Sequence, residues 1–155
     1  RIDVLGAEHP DTAAAHLNLS GVLGRQGDDA GSLAEAERAL EILKDEEENS
    51  LRLVAARTAV GSALHRAERY AEAEVIYTEL LAAQRSSLPE NHPNIAQSLH
   101  GIGVARLAMG EPATDFLEEA LAIRNIAQGA EHPDTVLTRD ALERARRAAS
   151  YPDRD

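Results

Sequence analysis

The heptapeptide Gly6-Ala7-Glu8-His9-Pro10-Asp11-Thr12 returns unchanged as Gly129-Ala130-Glu131-His132-Pro133-Asp134-Thr135, and positions 6 and 129 lie 123 residues apart, or three units of 41. A weaker copy, Leu88-Pro89-Glu90-Asn91-His92-Pro93-Asn94-Ile95, places its His-Pro pair 83 residues after the first and 40 before the last. A fourth start is then expected near Asn49-Ser50, where the His-Pro pair is lost. Repetition at this period constrains the fold strongly. Each unit is a supersecondary pair that cannot bury its apolar face alone and does so by stacking on its neighbours.

Those units read as helical. Ala, Leu, Glu and Arg dominate, while one Phe and three Tyr leave little of the aromatic and β-branched material that strands favour. Proline fits the first turn of a helix, where its missing N–H loses nothing, and an acid beside it suits the positive helix N-terminus. The His-Pro starts therefore predict helices over about Pro10 to Arg25, Pro93 to Met109 and Pro133 to Ala149. Gly27-Asp28-Asp29 reads as a stop and a cap, followed by a helix from about Ala30 that carries Leu33, Ala36, Leu40 and Leu43 and ends in the acidic run Asp45 to Glu48. Ser50 is a plausible cap for a helix to Arg66 with Leu53, Val54, Ala56, Val60 and Leu64 at helical spacing. A further helix begins near Tyr70 and is lined by Ala73, Tyr77, Leu80 and Leu81, and a shortened one runs from about Ala113 to Ala127. Seven helices with short connections predict an all-α chain of antiparallel neighbours.

The pattern resembles the tetratricopeptide repeat family, in particular its longer-period, kinesin-light-chain-like type. The residues that carry the likeness are Val60, Gly61, Leu64, Tyr70, Ala73 and Tyr77 in the second unit. In the third they are Leu99, Ile102, Gly103, Gly110, Ala120 and Leu121, and in the first Leu19, Ser20, Gly27, Ala39 and Leu40. The resemblance implies an α-solenoid, a right-handed superhelix whose first helices line a concave face. It divides the chain into the end of a truncated repeat (1–8), repeats over 9–48, 49–88 and 89–128, a capping helix over 129–150 and a polar tail over 151–155. Two departures stand out. The third unit lacks about two residues between Gly110 and Ala120, so its turn or second helix must be reshaped. The last unit carries Glu143 where a small residue is usual, which suits a solvated end helix.

Charge adds a functional reading. The chain carries a formal net charge of −11, which argues against nonspecific nucleic-acid binding. Yet no Asp or Glu occurs from Thr12 to Gly27, Asn49 to Ala67, or Asn91 to Gly110, the three first helices, and these stretches carry Arg25, Arg52, Arg57, Arg66 and Arg106. Acid outside and arginine within predicts a neutral-to-basic groove. Periodicity and the family register place Asn18, Arg25, Thr58, Ser62, His65, Arg66, Gln97, His100, Asp140 and Arg144 along it. Such a strip can hold the carboxylates or backbone of a protein or peptide segment, an acidic one above all, by charge-assisted hydrogen bonds.

Other chemistry finds little footing. The chain has no Cys, so thiolate zinc sites and disulfides are excluded, and a reducing, cytoplasmic setting is compatible. No apolar run approaches the roughly 20 residues that cross a bilayer, and no membrane partner is expected. His9, His92 and His132 sit a repeat apart and read as local caps, and His65 with His100 would need a further ligand to hold a metal. Gly101-Ile102-Gly103 lies within a helix pattern and suits close packing rather than phosphate binding. The expectation is a non-enzymatic interaction module without cofactor, the scaffold or sensor arm of a larger protein. Two alternatives remain: a self-assembly element that dimerises through its truncated N-terminal end, and the regulatory arm of an enzyme whose catalytic domain lies elsewhere.

Overall fold

The computed structural model describes residues 9–47 and 50–150. The expected repeat end over 1–8 and the polar tail over 151–155 lie outside the described residues. Seven helices and no strand are found among the described residues: α1 (Pro10–Gln26), α2 (Asp29–Leu43), α3 (Leu51–Arg66), α4 (Tyr70–Ser87), α5 (Pro93–Ala108), α6 (Thr114–Ala127) and α7 (Pro133–Ser150). They divide into two compact units, the boundary falling between Ile76 and Tyr77.

The helix starts follow from their local chemistry. His9, His92 and His132 do cap: each turns its ring Nδ1 back to accept the backbone N–H two residues on, at 3.1 Å from Asp11, 3.1 Å from Asn94 and 3.2 Å from Asp134. The first N–H groups of a helix have no partner within it, so a ring nitrogen here satisfies a donor otherwise left to water. At the start that lacks His-Pro, the Ser50 hydroxyl does the same for Leu53 N–H at 3.1 Å. Asp28 caps α2 through Gly31 N–H at 2.9 Å.

Helix ends show one irregularity. Gly27 and Gly110 follow α1 and α5 with φ of 82° and 74°, and the corresponding turn after α3 places Glu68 at φ 60°. That left-handed conformation costs a residue with a Cβ roughly 1–2 kcal/mol. Helix α2 stops at Leu43 with Lys44 as its C-cap, short of the acidic run expected to end it. The stretch read as the third repeat is reshaped in its second helix. That helix, α6, has 14 residues against 18 in α4, and Ala113 provides it no side-chain cap.

In the first unit α2 packs against both α1 and α3, which also touch each other. Ala13, Ala39, Leu43, Leu53 and Ala56 form a buried cluster there, flanked by Leu17, Leu40 and Ile42. The second unit repeats the plan, with α6 against α5 and α7 and the latter two in contact. Its cluster is Ala113, Leu117, Ala141, Leu142 and Ala145. Alanine at so many buried sites lets helix axes approach, and large residues such as Leu117 and Ile102 fill what remains. On α7, Glu143 is exposed and pairs with Arg147 at 3.4 Å.

Candidate interaction surface

The ten residues assigned to the groove fall into two sets, one in each unit. In the first unit Asn18 and Arg25 are exposed on α1, while Thr58, Ser62 and His65 are half-buried on α3 and Arg66 is exposed beside them. In the second unit Gln97 is exposed and His100 half-buried on α5, and Asp140 and Arg144 are exposed on α7. Since α1 touches α3 and α5 touches α7, each set lies on adjoining first helices of its unit.

Some of these side chains are already committed. Arg66 donates from Nε to Asp29 Oδ1 at 3.1 Å and from Nη2 to Ser32 Oγ at 2.7 Å, both on α2. It crosses α1 over Gly24, where an added Cβ would lie 2.6 Å from Nη2. Ser32 in turn donates to the Ser20 carbonyl at 2.9 Å. The Arg66 charge thus binds the first unit together and is largely neutralised. His65 meets the edge of Tyr70, ring centroids 5.1 Å apart. His100 approaches α7 through Nδ1 and Thr138 Oγ1 at 3.1 Å.

Other first-helix arginines are likewise engaged from outside their helices. Arg52 pairs with Glu46 at 3.1 Å, and Arg106 lies 4.8 Å over the Phe116 ring. Arg25 and Arg144 form no ion pair among the described residues. The sequence pattern located the arginines correctly on the first helices, but the acceptors that reach them from α2, α6 and the 44–50 connection were not foreseen. Small residues at Ser20, Gly24 and Ser32 were the available signal, because they open the slot that Arg66 fills.

No three His, Cys, Asp or Glu side chains gather as a metal site would need among the described residues. None of the described helices is long and apolar enough to cross a membrane.

The helix order and the pairing within each unit match a known architecture, and residues 52–125 match the family model of the tetratricopeptide repeat. Over that stretch the chain is similar to the tetratricopeptide repeat. Its fold is similar to that of two crystal structures of a protein from Podosopora anserina, described as a kinesin light chain with nearly identical TPR-like repeats. One of the two, a point variant of that protein, superposes with a TM-score of 0.79 at 23% identity, covering 97% of this chain and 72% of that one. The other gives 0.82 at 23% identity, covering 92% and 69%. No curated protein matches the chain. Tetratricopeptide-repeat proteins generally mediate protein–protein interactions, and the fold is in general a non-catalytic scaffold.

Proposed function

We propose that this chain is a non-enzymatic module that binds an acidic protein segment on the first-helix faces of its repeats. The observation that carries the reading is the pair of exposed guanidinium groups of Arg25 and Arg144, without an ion pair among the described residues, on helices whose neighbours on the same faces supply amide, hydroxyl and imidazole groups rather than a run of carboxylates. Asn18, Thr58, Ser62 and His65 accompany Arg25, while Gln97, His100 and Asp140 accompany Arg144. Arg66 chiefly positions the first unit, because two of its five donors are held by Asp29 and Ser32.

A charge-assisted hydrogen bond contributes about 1.5–3 kcal/mol, so losing one weakens binding by roughly tenfold or more. The test uses the tightest ligand from an array of short acidic peptides, with affinity measured for Arg25→Glu and Arg144→Glu. Arg25→Glu is expected to weaken binding at the first unit at least tenfold and Arg144→Glu binding at the second unit likewise, and more so at low salt. Unchanged affinity in both removes the groove reading. Arg66→Glu is a poor probe, since it also strands Asp29.

Self-association is a second reading, favoured by Leu19 and Val22, which are 44% and 39% exposed at a three-residue spacing on α1. Sedimentation across dilution is expected to show a reversible dimer in the native chain and a monomer in Leu19→Lys. A native chain that stays monomeric at every concentration ends this alternative.

A further inference from the structure

The second unit contains a cleft of about 520 Å³, built from α4, α6, the turn that leads into α5 and the first turn of α5 itself. None of the ten residues assigned to the groove lines it. Leu88, Ile95, Ala122 and Ile123 give it an apolar floor. Ile126, 70% exposed, continues that strip along α6 by helical spacing from Ala122 and Ile123. The turn that forms one wall is fixed before any ligand arrives, because His92 N–H donates to the Pro89 carbonyl at 2.9 Å and its ring caps α5. A preformed wall lowers the ordering cost of binding.

The rim decides what the cleft can take. Arg85 donates from Nη2 to both Glu119 carboxylate oxygens, at 2.7 and 2.8 Å, so its charge is paired there. Glu90, exposed on the turn, makes no ion pair among the described residues. One cation therefore faces two carboxylates around an apolar floor. An incoming carboxylate would meet the like charges of Glu90 and Glu119 against the single, already paired Arg85, whereas an incoming guanidinium or ammonium can use Glu90 and the remaining lone pairs of Glu119 without breaking any contact.

We infer that this cleft is a second docking site, for a protein segment that places a branched aliphatic side chain on the floor and an adjacent Arg or Lys against Glu90 and Glu119. Its preference is opposite in charge to that of the first-helix faces. One chain can thus hold two segments of different character, with complementarity setting which goes where.

The test titrates acetyl-Leu-Arg-amide into uniformly 15N-labelled protein, with acetyl-Leu-Glu-amide as the control. The arginine dipeptide is expected to shift amide resonances confined to residues 85–95 and 119–126 at millimolar concentration, and to bind at least fivefold more tightly than the glutamate dipeptide. Glu90→Gln, an exposed turn substitution, is expected to abolish that preference, and Ala122→Phe to block binding by filling the floor. Equal shifts from both dipeptides, shifts elsewhere on the chain, or none at all overturn the inference.

Discussion

Gly101→Ala is expected to destabilise the protein by about 1–3 kcal/mol, the range for overpacking a close-packed interior, and Gly101→Leu by more. A Cβ built at Gly101 would lie 2.5–2.6 Å from Cδ2, Cε2 and Cγ of Tyr77. Those atoms belong to a rigid ring that is only 6% exposed. The ring therefore cannot swing aside as the end of a lysine could. Alanine in mid-helix ordinarily gains about 0.8–1 kcal/mol over glycine, so a net loss requires the steric term to dominate. Gly21→Ala is the control, because its nearest neighbour is Arg25 Nη1 at an ordinary 3.6 Å. The same chemical change should raise stability there. Urea melts of both variants decide the matter, and the contact is refuted if Gly101→Ala is as benign as Gly21→Ala. Tyr77→Ala in the Gly101→Ala background should cost less than it does in the native chain, since residues in contact do not add.

The same pair shows what the sequence could convey. Gly101 and Gly103 were legible as close-packing positions because each interrupts an otherwise helical, apolar run. Tyr77 on Gly101 and Leu117 on Gly103 supply the partners. Helix starts were legible for a related reason: a cap is chemistry within two or three residues, so His92-Pro93-Asn94 carries its own explanation. Side chains that reach another helix were not. Arg66 fits the periodicity of a groove residue, yet its length lets it cross α1 to Asp29, and no spacing rule encodes that reach. Arg124 was missed as well. It stands at a position that reads as a polar helix end, but is 6% exposed. The register held a clue, since Gln84 and Ser98 recur as Arg124 and Thr138 at the same separation in the next repeat, and both pairs are bonded.

Thr138→Val is expected to cost about 2–4 kcal/mol in the native chain, and much less once Arg124 is replaced by Met. Arg124 Nη1 donates to Thr138 Oγ1 at 2.5 Å and to the Asp134 carbonyl at 2.6 Å. The Thr138 hydroxyl donates to the same carbonyl at 2.9 Å. Burial pushes the ionisation of the guanidinium below the usual arginine value, with Asp134 opposing that shift. Even so, arginine stays charged at neutral pH. Removing the hydroxyl leaves a desolvated cation short of an acceptor, which is costlier than leaving a neutral donor unpaired. Removing the cation instead leaves Thr138 still bonded to Asp134, so Arg124→Met should be neutral or stabilising. The chain itself shows the apolar solution. At the corresponding junction of the first unit, Leu43 and Ala56 meet in the buried cluster, where later junctions use Gln84 with Ser98 and Arg124 with Thr138. A double-mutant cycle by urea denaturation should therefore give a coupling of at least about 1 kcal/mol between positions 124 and 138. Additivity of the two substitutions would mean that the short contact contributes nothing to stability, and that Arg124 is tolerated at the junction rather than held by it.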